Sequence, residues 1–374
     1  MRKISIFLIF ITLSSGLYSQ SCWNSFRGDS EFSGTSNARL PESPVMLWNF
    51  RTDDAIKAPP VVCDGVIVAG SVDGNLYGIT MEGNLKWKLN TGNGIESAAL
   101  IDNGVAYVGN LDGKVFAVEV ETGKTLWTYE TDGQIMGAPN IWHGNIPGKS
   151  GKQSVLLIGS YDYFLHAIDA KTGAGLWKYE ADNFLNGAPA VFEGVAVFGG
   201  CDGFLHQVNV ADGSLKERQE VATYIAGSVS VDQWLTYVGD YDGKFTCLDL
   251  QTGDEKWNYS NPDTDLPFIA SPSLSRDKVI IGSRDKNVYA FNKKDGTLHW
   301  KVNTLGRVDA SPVLVDNKLL IATMRGDVMI MNENDGNTDW TYELGSPVTG
   351  NPAVIDGYFF VGAHDGRLYC FGGE

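Results

Sequence analysis

Ala117-Val-Glu-Val-Glu-Thr-Gly-Lys-Thr-Leu-Trp127, Ala167-Ile-Asp-Ala-Lys-Thr-Gly-Ala-Gly-Leu-Trp177 and Cys247-Leu-Asp-Leu-Gln-Thr-Gly-Asp-Glu-Lys-Trp257 are three copies of one unit. Self-similarity at a fixed period decides a fold before any local reading does. Extending the last position of the unit along the chain gives Trp48, Trp87, Trp127, Trp177, Glu217, Trp257, Trp300 and Trp340, with spacings of 39, 40, 50, 40, 40, 43 and 40 residues. A second column runs upstream of it: Gly70, Gly109, Gly159, Gly199, Gly239, Gly282, Ala322 and Gly362. Three residues after these small residues comes a turn, written Asp-Gly at Asp73-Gly74, Asp112-Gly113, Asp202-Gly203, Asp242-Gly243 and Asp365-Gly366.

Each unit holds four short runs of alternating apolar residues. Asp-Gly between two such runs signals a tight hairpin, because both central residues of that turn need positive φ. Four antiparallel strands in about 40 residues, repeated eight times, predict an all-β, eight-bladed β-propeller of four-stranded antiparallel blades. The ends of the chain complete this reading. The last unit stops at Cys370-Phe-Gly-Gly-Glu374, after three strands, and Val45 to Arg51 is a Trp strand with no three strands before it. The N-terminal strand is therefore expected to complete the last blade, which closes the ring and removes exposed edges. The long spacing before Trp177 is assigned to a loop, His143 to Gln153, between the first two strands of its blade.

The chain has 374 residues, 44 of them Gly, and a net charge of −16. Its aromatic content excludes a disordered chain, and its acidity argues against nucleic acid as a partner. Residues 1–20 read as a secretory signal peptide: Arg2 and Lys3, an apolar run from Ile4 to Leu13 too short to span a bilayer, then a small and polar exit. Removing them would leave 27 basic against 45 acidic residues, or −18. Residues 21–44 are read as a leader and 45–374 as the propeller. Cys22 follows the signal, but Ser19-Gln20-Ser21 is a poor lipidation box. The other cysteines, Cys63, Cys201, Cys247 and Cys370, form no metal-binding or dithiol spacing and read as buried thiols. Five is an odd number, so at least one is free or modified. The expected location is periplasmic or extracellular, with membrane anchoring only if Cys22 is lipidated.

The pattern Ala-x-Asp-x-x-Thr-Gly-x-x-x-Trp resembles the tryptophan-docking motif of the pyrroloquinoline quinone (PQQ) type propellers. Trp23-Asn-Ser-Phe-Arg-Gly-Asp29 is similar to the short leader that precedes such repeats in exported proteins. The resemblance implies a structural role for Trp48, Trp87, Trp127, Trp177, Trp257, Trp300 and Trp340, each packing on a neighbouring blade. It also implies two functional classes. Quinoprotein dehydrogenases hold PQQ and calcium in the central funnel; BamB-like proteins of the outer-membrane assembly machinery are not enzymes. This chain lacks the adjacent Cys-Cys pair and long insertions of the first class, and no calcium-binding Glu-Asn-Asp set is assignable. It matches the second in length, export and compact blades.

The innermost strand of each blade lines the channel. One column of these strands is apolar: Ile56, Ile95, Ile135, Leu185, Ile225, Phe268, Val308 and Val348. The next is variable: Lys57, Glu96, Met136, Asn186, Ala226, Ile269, Asp309 and Thr349. Strand alternation puts the two on opposite faces, so the variable column is expected to ring the axis, with Lys57 and Glu96 able to pair. The loops entering these strands offer Asn183, Phe184, Tyr224, Phe268 and Arg307 as interface candidates, since aromatic and Arg groups anchor interfaces. Asp240-Tyr-Asp-Gly243 has too few carboxylates for calcium, Gly144 to Ser150 is one residue short of a phosphate loop, and His166 and His206 read as strand packing. Arg27-Gly-Asp29 reads as incidental. The expected function is a non-catalytic, exported, monomeric scaffold that binds another envelope or secreted protein, with no catalytic residue, metal or cofactor. The alternatives are a PQQ- and calcium-dependent oxidoreductase and a propeller that binds carbohydrate or another small ligand.

Overall fold

The computed structural model describes residues 22–221 and 223–373; the signal-peptide reading falls outside them. Among these residues there is no α-helix, and the strands form eight antiparallel blades. Blade 1 runs Val61–Cys63, Val66–Gly70, Asn75–Thr80 and Leu85–Asn90, from axis to rim. Blades 2 to 7 repeat this order through Leu100–Asp102, Asn140–Asn145, Ala190–Phe192, Ser230–Asp232, Ser273–Leu274 and Val313–Val315 as innermost strands. Blade 8 takes Ala353–Ile355, Tyr358–Gly362 and Arg367–Gly372 from the C-terminus and its outer strand, Val45–Arg51, from the N-terminus. The antiparallel register pairs Val45 with Gly372 and Arg51 with Arg367, so the chain's beginning locks its end.

The two middle strands of each blade are buried on both faces, and the outer strands alternate. The docking residues show why the repeat is conserved within the chain. Six indoles, Trp48, Trp87, Trp127, Trp177, Trp257 and Trp300, donate Nε1–H to a main-chain carbonyl of the next blade, at 2.7–3.0 Å. Each ring lies on the glycine of that blade's turn. A Cβ built on Gly123 or Gly173 would stand 2.7 Å from the facing indole, and both residues have φ near +75°, so both contact and backbone require glycine. Trp340 packs edge-on against Phe359 and Phe371.

Blade 4 carries Glu217 in the Trp column, and this side chain is exposed. Two amides replace the indole. Gln207, opposite Glu217 in the ladder, donates Nε2–H to the Leu250 carbonyl at 3.0 Å, and Gln219 donates to the Gly253 carbonyl.

The extra residues before Trp177 are not a loop from 143 to 153. They extend the hairpin, pairing Asn140 with Leu157 out to Asn145 with Lys152, and leave only 146–151 as the connection. Cys22 and Cys63 are not free thiols but a disulfide. This takes Cys22 out of the lipidation reading, because a disulfide sulfur cannot carry a lipid thioether. Cys201, Cys247 and Cys370 are buried thiols.

The leader is part of the ring. From Trp23 to Arg39 it circles one mouth of the channel and bonds to every blade in turn. Trp23 exchanges two main-chain bonds with Val62, and the carbonyls of Asn24, Ser30, Glu31, Ser33 and Gly34 accept from Ile101, Val191, Val231, Leu274 and Leu314. The Asn140 amide reaches Ser30 for blade 3, and Gly357 donates to Arg39 for blade 8. Thr35–Ser36 adds a short parallel strand to blade 7.

Candidate functional site

The channel is lined not by the innermost strands, which begin at Val61 and its equivalents, but by the segments that lead into them. All eight residues of the variable column line one cavity of about 450 Å³. Two residues further along each segment, a second layer lines it: Pro59, Ala98, Ala138, Ala188, Ser228, Ser271, Ser311 and Asn351. Between the layers sit only Ala, Ser and Gly, and a Cβ on Gly137 or Gly187 would come within 2.8 Å of the neighbouring blade's backbone. Small residues are what allow eight segments to converge.

The leader closes the bottom. Phe26 forms the floor, edge-on to the fully buried Phe32 at 5.4 Å. Arg27 is fully buried and donates to the carbonyls of Pro312 (2.6 Å) and Pro272 (2.8 Å) and to Ser273 Oγ (2.9 Å). Burial pushes its pKa down, with the Asp29 carboxylate opposing; a guanidinium stays charged under such a shift. Asp29 is occupied by the main-chain N–H groups of Glu31 and Ser33. Arg27-Gly28-Asp29 is thus a structural plug, and its arginine is inaccessible.

The charged members of the upper ring are paired. Lys57 Nζ meets Glu96 Oε1 at 2.7 Å. Asp309 is gripped by Arg284 through Nε (3.3 Å) and Nη2 (3.1 Å). Asn186 accepts from the Tyr161 hydroxyl at 2.5 Å, and Thr349 meets His364 Nε2 at 3.0 Å. Burial and the neighbouring Lys57 charge push the His364 pKa down, favouring the neutral ring. Burial likewise raises the pKa of Tyr161, Cys201 and Tyr224 around the mouth, which favours their protonated forms.

A calcium ion would need six to eight oxygen ligands, drawn from carboxylates, carbonyls and water. Here each of the two ring carboxylates is neutralised by a cation, and the one Cys/His/Asp/Glu cluster of metal-binding size among the described residues contains the Cys22–Cys63 disulfide. The ring therefore offers calcium no unpaired carboxylate. His166 and His206 are fully buried, each between a turn carboxylate (Asp162, Asp202) and a tyrosine hydroxyl (Tyr129, Tyr179), an arrangement that orients strands.

The open mouth carries the interface candidates. Phe184 is exposed, stacks on Tyr161 (4.6 Å) and meets Tyr163 at a tilt (5.2 Å); Arg307 is exposed; Asn183 and Tyr224 are half-buried, with Tyr224 edge-on to Tyr241. Phe268 does not belong with them. It is 1% exposed, packed between Phe245 and Tyr289 as part of the apolar column. The same face exposes Tyr163, Tyr241, Leu266 and Leu305, the last at 65%, which the sequence reading did not single out. They lie in the turns around the mouth, where no periodicity marks exposure.

A family profile described as outer membrane protein assembly factor BamB matches residues 41–134, 141–260 and 202–373. No curated protein matches the chain. Among solved structures, BamB from Moraxella catarrhalis is similar at 20% identity, with a TM-score of 0.74, covering 88% of this chain and 100% of that one. The computationally designed Ika8 protein gives 16% and 0.74, covering 87% and 99%. Quinohemoprotein alcohol dehydrogenase from Comamonas testosteroni gives 13% and 0.74, covering 94% and 80%. At these identities the structures share a fold. The match over nearly all of the blades goes further: the chain belongs to the PQQ-like repeat propeller family described as outer membrane protein assembly factor BamB.

Proposed function

We propose that this protein is an exported, non-catalytic scaffold that docks another protein of the cell envelope on the open mouth of its propeller. The observation that carries this is the rim itself. Phe184, Tyr163, Tyr241, Leu266 and Leu305 are exposed large apolar groups on one face, beside an exposed Arg307. Aromatic and Arg groups dominate the energy of interfaces, and a closed propeller holds its loops on a stiff support. A plugged channel with paired carboxylates and protonated thiol and phenols supports a binding role over catalysis.

A crosslinking pull-down from the native envelope tests the reading. The wild-type chain is expected to recover a specific protein, and the Phe184→Asp/Arg307→Glu double variant to lose it with an unchanged melting midpoint. Equal recovery by both would sink the proposed face. The likeness to the quinohemoprotein fold supports a second reading, an oxidoreductase. Reconstitution with PQQ and calcium, followed by dye reduction, separates the two; turnover would overturn the scaffold.

A further inference from the structure

The lower layer of the channel has hydrogen-bonding capacity that the protein leaves unused. Ser228 Oγ accepts the Ala188 N–H at 2.8 Å, Ser271 Oγ accepts the Ser228 N–H at 3.2 Å, and Ser311 Oγ accepts the Ser271 N–H at 2.9 Å. A hydroxyl that accepts still owns its hydrogen, and none of these three donates to any of the described residues. All three side chains are at least nine-tenths buried and line the channel. Asn351, on the next blade, is 1% exposed; its Nδ2 donates to Pro352, and its Oδ1 is buried without a partner. Four consecutive blades thus present three donors and one acceptor to the same space.

The opposite wall is different. Ala98, Ala138 and Ala188 face the arc, with Phe26 as the floor. The charge of the cavity also departs from that of the protein. Its lining carries Lys57, Arg284 and Arg307 against Glu96 and Asp309, one net positive charge inside a chain of −16. Arg307 has no side-chain hydrogen bond or ion pair among the described residues.

Buried polar groups cost free energy when left unpaired, so this arc asks for a ligand whose head both accepts and donates. We propose that the lower channel binds a small carboxylate with a hydrogen-bond donor on the adjacent carbon, the chemistry of a 2-hydroxy acid. The carboxylate oxygens accept from Ser228, Ser271 and Ser311. The hydroxyl donates to Asn351 Oδ1. The alkyl end packs on the alanine wall, and the cationic lining draws the anion in from an acidic surface. This site lies below the rim and does not depend on whether the rim docks a partner.

The experiment is a calorimetric and ligand-observed NMR titration of the secreted chain with three probes of one size. Lactate has both groups, propionate lacks the hydroxyl, and 1,2-propanediol lacks the carboxylate. Lactate should bind saturably, propionate about tenfold more weakly for one lost hydrogen bond, and propanediol without saturation. Asn351→Ala should bring lactate down to propionate, and Ser271→Ala/Ser311→Ala should abolish binding of both acids, with folding checked by the melting curve. If that double variant fails to fold, the probe series on the wild type decides alone. Absence of saturable lactate binding would mean that the channel holds water only and would overturn the proposal. So would equal binding of all three probes, or indifference to the substitutions in a folded protein.

Discussion

The side chains that dock each blade on the next are unequal. Trp127 covers the Gly173 turn and donates to Ala170; Gln219 meets only the Gly253 carbonyl. Truncating a large aromatic at a packed contact costs about 3 kcal/mol, through lost transfer energy and the cavity left behind, whereas one amide hydrogen bond is worth about 1 kcal/mol. Trp127→Ala should therefore lower the urea midpoint far more than Gln219→Ala. Similar losses would mean that the indoles are not what joins the blades. The Trp column was legible because spacing alone marks it, and so was its gap at Glu217. The substitutes at Gln207 and Gln219 were not, because their partners, Leu250 and Gly253, lie in another blade and no local pattern links them. The serine arc had a readable signal, since it sits two residues beyond the variable column. Its significance depends on the hydrogen-bond partner of each hydroxyl, which only coordinates supply. The interface candidate Phe268 failed for a related reason: one aromatic served two columns, and burial chose the apolar one.

At the scale of elements, the leader departs most from its sequence reading. Its motif was recognised as a segment before the repeats, but a stretch that bonds to eight separate blades has no period of its own to reveal its path. Its anchors are the Cys22–Cys63 disulfide and the Arg27 guanidinium. A bridge between residues 41 apart stabilises by about 4 kcal/mol in the chain-entropy account, so reduction should lower the thermal midpoint. Arg27→Gln should add to that loss, because it removes the charged hydrogen bonds to the Pro272 and Pro312 carbonyls and leaves each with a serine hydroxyl, from Ser230 and Ser273, as its donor; a hydrogen bond to a charged group is worth about 1.5–3 kcal/mol. Amide hydrogen exchange would locate the effect. Faster exchange confined at first to the innermost-strand N–H groups of Ile101, Val191, Val231, Leu274 and Leu314, which bond the leader, is the expected signature. Uniform acceleration over all blades would show that the leader is no separate element.

For the molecule as a whole, the question is what makes a ring of repeats one cooperative body. A linear array of units contacting only their neighbours unfolds from its ends; a closed ring has none, provided that the seam is as strong as the other contacts. Here the seam is blade 8, joined by the antiparallel pairing of Val45–Arg51 with Arg367–Gly372 and by Trp48 donating to Met81 of blade 1 at 2.9 Å. Two truncations separate the seam from the leader. A chain beginning at Val45 loses the leader and its disulfide but keeps the closing strand. A chain beginning at Thr52 loses the strand as well, leaving Arg367–Gly372 as an open edge with the buried Cys370 and Phe371 uncovered on that side. The first should fold with a lower midpoint and an unchanged urea slope, since slope follows the surface exposed in a single transition. The second should unfold over a broader range, with blade 8 exchanging its amides ahead of blades 3 to 5. Identical slopes and midpoints for the two chains would show that closure contributes nothing to cooperativity and that each blade stands on its nearest neighbours alone.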